Sequence, residues 1–456
     1  MSFPKYAAYK DSGVEWMGEV PAHWDVTQIR RTLDRIEQGW SPECHGRPAD
    51  AGEWGVLKSG CVNGGMFHSD ENKALPEGLD VPLELEVRAG DMLMSRASGS
   101  PDLIGSIALV KQTPPRLLLS DKTFRIHVNR KMEASFFAWC LSSRALRGQI
   151  ECAISGAAGL ANNLPQSRLV AFVAAIPPLA EQQLIGRFLD HETTKIDALV
   201  EEQRRLIELL KEKRQAVISQ AVTKGLDPSV PMKDSGVEWI GALPAHWSLL
   251  RVKDVAGLES GHTPSKQVPE YWENCDIPWV SLNDSKQLAA SDYITETAFQ
   301  ISALGLANSS ARMLPAGAVV FTRDATIGLA AITTRAMAVS QHLIAWCPSD
   351  NIDARYLLRV FNVMKQWLDA ATFGATIKTI GMADVKKLVT PVPPIVEQRA
   401  IAAFIEERKS EFDSLIDAAE RATSLLIERR SALISAAVTG KIDVRGFAPT
   451  PEPAAA

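Results

Sequence analysis

The chain has 456 residues, of which 46% are hydrophobic and 7% aromatic, and this composition predicts folded domains with apolar cores instead of a disordered chain. No apolar run reaches the roughly 18 residues of a membrane span, and the first residues lack the apolar core of a signal peptide, so we expect a cytoplasmic protein. The formal net charge of −5 does not favour nucleic-acid binding, because phosphate contacts usually need a surplus of Lys and Arg.

The first residues, 1–24, form an element that occurs twice. The sequence KDSGVEW begins at Lys10 and again at Lys233, 223 residues later, and the tetrapeptide PAHW ends at Trp24 and again at Trp247. A match of this length at one spacing indicates an internal duplication. The second repeat element comprises residues 226–247.

Each repeat element is followed by a variable segment, residues 25–179 in the first copy and residues 248–395 in the second. Both segments mix short apolar runs of strand type with stretches of helical periodicity, such as residues 91–94 and 134–147 in the first. We therefore predict two α+β domains.

Polar residues near glycine turns in the variable segments are candidate contacts to a phosphate or a base edge. An arginine that follows a strand-like run can bind either group, and a plain solvated surface position is the alternative for every candidate. The Gly-x-Ser/Thr-Pro segments at Gly39 and Gly261 fit a contact loop and a structural turn equally well. The candidates are Ser41, Ser95, Arg96, Lys122, Thr263, Thr322, Arg323, His342, Thr376 and Lys378.

Two long amphipathic helices follow the variable segments, at residues 180–225 and 396–440. Both begin after a Pro-Pro step and end at a glycine, Gly225 or Gly440. Apolar residues recur on two seven-residue tracks in the same register in both copies, which predicts a paired helical seam about 60 Å long. Residues 441–456 are predicted to be a disordered tail. The predicted interface residues are Leu189, Ile196, Leu199, Leu206, Leu210, Val217, Ile405, Phe412, Leu415, Leu426 and Leu433.

The sequence carries no recognisable catalytic set. It has no phosphate-binding loop, no dinucleotide-binding glycines, no paired zinc ligands and no nucleophile elbow at the required spacing. His23 and His246 stand beside Trp in the PAHW repeat, where we favour a structural role over catalysis. We expect no catalytic residue, no metal site and no cofactor in this chain.

The six cysteines are scattered without a CxxC pair, which argues against a disulfide framework and against a structural zinc site. We interpret them as mostly buried thiols. They are Cys44, Cys61, Cys140, Cys152, Cys275 and Cys347.

Together, these motifs resemble the specificity subunits of type I restriction-modification systems over essentially the whole chain. The motif PPLxEQ, which opens each long helix in that family, is present at Pro177 to Gln182 and, as PPIVEQ, at Pro393 to Gln398. The repeat GVEWxGxxPxHW is also typical of the family. No single motif is specific, but the combination is.

The resemblance implies two target-recognition domains joined by two long antiparallel coiled-coil helices, with a pseudo-two-fold internal repeat. It implies that the domains read a bipartite, asymmetric target in double-stranded DNA, and the candidate residues above are the contacts that we expect. It further implies that the helices dock two modification subunits, which carry S-adenosylmethionine and methylate adenine, and through them the restriction and translocase subunits. The chain itself would be noncatalytic. The alternative is a coiled-coil scaffold or inhibitor that binds the modification subunit without reading DNA.

Overall fold

In a computed structural model, the protein is described over residues 3–157, 160–371 and 379–447. It divides into two compact units. The first unit contains residues 1–204 and 421–456, and the second contains residues 205–420. Each unit therefore combines one repeat element, one variable domain, the first half of one long helix and the second half of the other.

The variable domain of the first unit consists of short strands and three helices. Its strands are β1 (Tyr9–Asp11), β2 (Glu19–Pro21), β3 (Asp25–Gln28), β4 (Leu33–Gln38), β5 (Gly55–Leu57), β6 (Asn72–Ala74), β7 (Met92–Ser95), β8 (Ala97–Ser98), β9 (Ile107–Leu109), β10 (Leu117–Leu118), β11 (Thr123–Val128), β12 (Ser155–Ala157), β13 (Leu160–Asn163) and β14 (Val173–Ile176), the first two lying in the repeat element. Its helices are α1 (Ala134–Ser142), α2 (Arg144–Ala153) and α3 (Gln166–Leu169), and the long helix α4 (Leu179–Lys224) follows them.

The second half of the chain repeats this order with local differences. Its strands are β15 (Met232–Asp234), β16 (Ala242–Pro244), β17 (Ser248–Arg251), β18 (Ala256–Ser260), β19 (Ile277–Val280), β20 (Tyr293–Ile294), β21 (Phe299–Ile301), β22 (Val319–Thr322), β23 (Ala330–Thr333), β24 (Ala338–Val339), β25 (Leu343–Pro348) and β26 (Val389–Val392). Its helices are α5 (Val252–Val255), α6 (Ser285–Ala290), α7 (Ala303–Ala307), α8 (Ala354–Ala371), α9 (Met382–Val385) and the long helix α10 (Ile395–Val438).

Each variable domain contains one main sheet and a smaller sheet that packs on it, and the first unit has a further three-stranded sheet of the order β12-β13-β8. The main sheet has the order β4-β11-β7-β9 in the first unit and β18-β25-β22-β23-β20 in the second, which therefore has one strand more. The smaller, three-stranded sheets have the orders β10-β5-β6 and β21-β19-β24. The predicted α+β class is confirmed.

The central strands of the main sheets are buried on both faces. In β7, Met92 and Met94 belong to one core with Phe136 and Phe137 of α1, whereas Leu93 belongs to a cluster that the smaller sheet covers. Successive side chains of a strand point to opposite faces, so a strand covered on both sides appears as a continuous apolar run. Strand β22 repeats this arrangement in the second unit.

A two-stranded ribbon closes each variable domain at its ends. Strand β3 pairs with β14 in the first unit, and β17 pairs with β26 in the second. The chain therefore enters and leaves each domain side by side, directly before the long helix begins.

The long helices have 46 and 44 residues, which corresponds to lengths of about 69 and 66 Å. Their bounds differ from the predicted ones by one or two residues. Each ends before a glycine with positive φ, Gly225 at +75° and Gly440 at +70°, the conformation that commonly stops a helix. Across the described residues, no helix combines the length and apolar character needed to cross a membrane.

The halves of the two helices pair within each unit. In the first unit Arg430 Nε lies 2.8 Å from Asp197 Oδ1, and in the second unit Arg214 forms an ion pair with Asp413. Asp413 and Arg430 each lie 216 residues after their counterparts Asp197 and Arg214, so the two ion pairs are equivalent under the duplication. Successive contacts run in opposite directions along the two helices, which makes the pairing antiparallel.

One track of the predicted interface is wrong by one residue. Leu199, Leu206 and Leu415 are 46%, 42% and 53% exposed, and in each case the following residue is buried instead. An α-helix has 3.6 residues per turn, so a shift of one residue rotates a side chain by about 100° around the helix axis. The prediction assigned the interface to leucine instead of the β-branched residue that follows it, and therefore to the wrong face of the helix. The buried neighbours are Val200, Ile207 and Ile416.

The other predicted interface residues face the interior to different degrees. Leu189, Ile196, Ile405 and Leu433 are buried, and Leu210, Val217, Phe412 and Leu426 are half-buried.

The predicted disordered tail begins later than expected. Residues 441–447 contact the N-terminal residues and helix α4 of the first unit: Asp443 N donates to Pro4 O at 2.8 Å, and the Phe447 ring packs edge-on against Phe188 of α4 at 5.0 Å. The prediction is therefore wrong for residues 441–447, while residues 448–456 lie outside the described residues.

Candidate nucleic-acid interface

One glutamate in each copy joins the repeat element to the start of the long helix. In the first unit the Trp24 indole donates to Glu181 Oε1 at 3.1 Å, and His23 Nε2 lies 2.8 Å from Glu181 Oε2. In the second unit the equivalent Trp and His contact Glu397, each at 2.9 Å. Both glutamates occupy the first helical turn, where a negative charge is favourable. These contacts support a structural role for both histidines.

The glutamine after each glutamate connects the helix start to the variable domain. The Gln182 side chain accepts from Glu133 N at 2.8 Å and donates to Lys131 O at 3.0 Å and Pro177 O at 2.9 Å. Gln398 makes the equivalent three bonds at 2.8, 2.9 and 2.8 Å. Both glutamines are buried, and a fully bonded buried amide has one favourable orientation. The same hydrogen bonds therefore position each variable domain on its long helix.

Two of the candidate contact residues are inaccessible. Ser95 and Thr322 end the central strands β7 and β22, and both are 0% exposed. The Thr322 hydroxyl accepts from Leu329 N at 3.0 Å and bonds to Thr326 O. Because these strands are covered on both faces, the prediction that the two hydroxyls contact DNA is wrong.

The arginines that follow them occupy equivalent places. Arg96 N donates to Lys122 O at 2.9 Å, and Arg323 N donates to His342 O at 3.0 Å. Their carbonyls accept from the chain that precedes α3 and α9, at 2.7 Å from Leu164 N and 2.9 Å from Ile380 N. The backbone around each arginine is thus fixed on both sides.

The two guanidinium groups keep unused donors. Arg96 lies over the Phe124 ring at 5.3 Å and donates from Nη1 to Asp121 O at 3.2 Å. Arg323 Nε lies 3.6 Å from Asp324 Oδ1. In both arginines Nε is buried without a hydrogen-bond partner among the described residues. The buried Nε atoms cannot reach DNA, so a contact to a phosphate or a base edge would use the Nη groups of these half-buried side chains.

Lys122 and His342 accompany the arginines in equivalent positions. The Lys122 side chain is exposed, and His342 Nδ1 lies 2.7 Å from Asp324 Oδ2. Sequence reasoning missed Asp324, although it directly follows the Thr-Arg pair. The Asp324 carboxylate, which pairs with both His342 and Arg323, orients the imidazole and the guanidinium and reduces the local positive charge.

Ser41 and Thr263 lie in loops that touch the same region. Ser41 is exposed, and Thr263 is half-buried. The preceding glycines are structural, because a Cβ atom would stand 2.0 Å from Leu119 O at Gly39 and 2.1 Å from Val339 O at Gly261. Backbone packing thus explains the glycines, and DNA contact by Ser41 and Thr263 stays a prediction. The candidates Thr376 and Lys378 lie outside the described residues.

The cysteines are less uniformly buried than predicted. Cys61 and Cys140 are buried, and burial raises the pKa of each thiol to about 12. Cys152 is exposed, and the other three are half-buried. Within residues 3–157, 160–371 and 379–447, no group of three or more His, Cys, Asp or Glu side chains is placed to hold a metal ion.

The second variable domain matches a known protein family. Residues 244–420 match the family model described as type I restriction modification DNA specificity domain. The chain is 32% identical over 166 residues to the type I restriction enzyme EcoEI specificity subunit of Escherichia coli. That match covers 36% of this chain and only 28% of the relative, so it spans a minor part of the relative's length.

Two further matches extend over nearly the whole chain. The putative type I restriction enzyme MjaX specificity subunit of Methanocaldococcus jannaschii is 19% identical over 433 residues, covering 94% of this chain and 96% of the relative. A chain from a solved structure of a type I R-M system, concerned with complex assembly and conformational transition, has a TM-score of 0.68 at 17% identity, covering 92% of this chain and 98% of the other. The fold is shared along both copies of the duplication. The chain is therefore similar to type I restriction-modification specificity subunits over nearly its whole length, and its residues 244–420 match their DNA specificity domain.

Proposed function

We propose that this chain is the DNA-recognition subunit of a type I restriction-modification complex and that its variable domains read the two halves of a bipartite target. The equivalent placement of the half-buried Arg96 and Arg323, each directly after the central strand of its main sheet, carries this proposal. A guanidinium is the side chain best suited to the edge of a guanine or to a phosphate. Because the residues around the two arginines differ, the two half-sites differ and the target is asymmetric.

The same proposal assigns the chemistry to other subunits. This chain is noncatalytic, and the modification subunits bind S-adenosylmethionine, methylate adenine and supply part of the positive surface for double-stranded DNA. Restriction and translocase subunits join the complex through them. The net charge of −5 is compatible with this division, because the chain does not hold the DNA alone.

Matched apolar residues on the long helices support docking of two modification subunits. Leu199 and Leu425 are exposed in the first unit, and their counterparts Leu415 and Leu209 are exposed in the second. Each counterpart lies 216 residues away in the sequence, so both units present an equivalent pair of exposed leucines, one from each helix. Exposed apolar side chains that recur at equivalent places indicate two equivalent protein contacts.

Recognition of the DNA sequence is tested by mapping methylated adenines in cells that carry the modification subunit and a variant of this chain. Arg96→Ala should relax one half of the methylated sequence and Arg323→Ala the other, with a loss of discrimination of about tenfold or more for each lost base contact. Arg30→Ala is the matched control, since that arginine is exposed and is not one of the candidate contact residues. Unaltered half-sites in both variants would contradict the proposal, and methylation with the same specificity without this chain would favour a scaffold.

Docking is tested by native mass spectrometry of the complex. The double variant Leu199→Asp/Leu425→Asp should release one modification subunit, and Leu209→Asp/Leu415→Asp should release the other. Both variants place a charge on an exposed position, so the fold should be kept. Release of neither subunit would place the docking surface elsewhere.

A further inference from the structure

The main sheet of the first unit ends in an open edge. Strand β9 is the last strand of that sheet, whereas the equivalent strand β23 of the second unit is covered by β20, which pairs with it in parallel. The equivalence follows from the register, because Leu109 of β9 pairs with Met92 of β7 as Ile332 of β23 pairs with Val319 of β22.

Backbone donors along this edge point away from the sheet. Val110 N donates to Asp91 O at 2.8 Å, so the alternate residues Leu109 and Lys111 direct their N–H groups outward. Neither N–H has a partner among the residues that the structure describes. In the second unit the two equivalent donors are used: Ile332 N bonds to Asp292 O at 2.9 Å and Thr334 N bonds to Ile294 O at 3.0 Å.

A groove of about 820 Å³ lies beside this edge. Its walls are β9, the turn at residues 64–67, helix α1 and the paired long helices. The half-buried Trp139 lines it, with its indole N–H bonded to Asp190 Oδ1 at 2.9 Å and the Arg430 guanidinium 5.7 Å from its ring. The volume lies within the roughly 300–1,000 Å³ of ligand sites.

The second unit fixes its own strand with charges that the first unit lacks. Asp292, next to β20, is held by Arg359 at 2.8 Å and by Lys409 at 2.9 Å. Trp139 has the same position in α1 as Arg359 has in α8, so Trp139 is the counterpart of Arg359. Thr193 lies as far after Gln182 as Lys409 lies after Gln398, so Thr193 is the counterpart of Lys409. The first unit thus has the strand site without the internal strand and without the cations that anchor it.

We propose that an extended segment of one modification subunit adds as a strand to β9 in this groove. The inference rests on the proposed function, and it deepens it by naming a second contact. The groove continues onto the proposed docking surface, because Asp197 lines it and the exposed Leu199 lies within one turn on the same helix. An unpaired strand edge bonds an added strand through the main chain, and side-chain pockets then set the specificity.

The groove also indicates the chemistry of the added strand. An apolar side chain fits against Leu109 and Trp139, which are both half-buried. An acidic residue fits beside Lys111, which is exposed and has no ion-pair partner among the described residues. Because β20 fills the equivalent place in the second unit, only one of the two modification subunits gains this contact. The two subunits therefore bind with different affinities.

Hydrogen exchange with residue resolution tests the strand addition in the full complex. The amide protons of Leu109 and Lys111 should exchange rapidly in the free chain and slow at least tenfold when both modification subunits are bound. The variant Leu109→Pro removes one outward donor without breaking a bond to β7, since proline is tolerated at such an edge position. It should weaken binding of one modification subunit about tenfold. Leu109→Val keeps the donor and should bind normally.

The remaining outcomes separate the inference from the proposed function. If both modification subunits bind while the two amides exchange as before and Leu109→Pro binds normally, the inference is overturned and the proposed function stands. If no modification subunit binds the unaltered chain, the docking proposal itself fails. Protection by DNA alone, or protection in the free chain that disappears when residues 448–456 are deleted, would overturn the inference by giving the groove another occupant. A melting temperature of Leu109→Pro close to that of the unaltered chain excludes unfolding as the cause of weak binding.

Discussion

Removing the glutamate that opens each long helix should affect the two units unequally. Glu181 Oε1 accepts from the Trp24 indole and from the Tyr6 hydroxyl at 2.5 Å, and these donors are 0% and 5% exposed. Burial raises the pKa of Tyr6, and its hydrogen bond to Glu181 raises the pKa further, so the hydroxyl stays a donor. Each buried donor left without an acceptor costs about 1–3 kcal/mol, so Glu181→Ala should lower the free energy of unfolding by about 4 kcal/mol.

The same change in the second unit should cost less. The Glu397 side chain is 43% exposed, and of its two partners only the Trp247 indole is buried, so Glu397→Ala should cost about 1–2 kcal/mol. Calorimetry of both variants, with hydrogen exchange to assign each transition to a unit, measures the difference. Glu181→Gln keeps an acceptor oxygen and serves as the control. Equal destabilisation by the two alanine variants would refute the argument from burial.

Three further experiments test other parts of the structure. Gly39→Ala should destabilise the first unit by about 3 kcal/mol, because its Cβ would meet a carbonyl oxygen at 2.0 Å, while Gly46→Ala, with nothing within 4 Å, should be nearly neutral in urea unfolding. Burial alone would raise the pKa of Asp292, but its two basic partners outweigh burial and lower the pKa to about 2. Asp292 therefore stabilises the fold by roughly 2 kcal/mol above pH 4, and this stabilisation is lost as the pH falls towards 2. The difference in unfolding free energy between the unaltered chain and Asp292→Asn should shrink over that range, and a constant difference would contradict it. A double-mutant cycle on Asp197 and Arg430, which are 53% and 28% exposed, should give a coupling below about 1 kcal/mol in the same unfolding assay.

Features set by local chemistry could be predicted from the sequence. A Pro-Pro step and a glycine stop gave helix bounds of 180–225, and the helix is Leu179–Lys224. The duplication could be found because KDSGVEW and PAHW recur at one spacing. The motif PPLxEQ marked residues whose hydrogen bonds are the same in both copies, although the bonds themselves could not be derived.

Features set by distant parts of the chain could not be predicted. Ser95 ends an apolar run and therefore looked like an exposed strand end, but the smaller sheet covers that face. Gly39 is required by the carbonyl of Leu119, 80 residues later. The helix seam shows a third limit: leucine is the more hydrophobic choice, yet Val200 is buried and Leu199 is exposed. Helical geometry decides which side chain faces the partner helix, and hydrophobicity alone does not.

The two units share the hydrogen bonds that position each variable domain on its long helix, and they differ at one edge of the main sheet. The contacts explain why the shared bonds and the different edges are compatible. The glutamate and glutamine bonds that position each domain do not involve β9, β20 or β23, so the edge can change without moving the domain. At the edge itself, Arg359 and Asp292 have to be replaced together. Arg359 is 2% exposed, and replacing it alone would leave the Asp292 carboxylate with one cation less in a partly buried site, a loss of several kcal/mol. An edge with Trp139 and an edge with the Arg359–Asp292 ion pair are therefore separate solutions, and the edge with Trp139 leaves backbone donors for another chain.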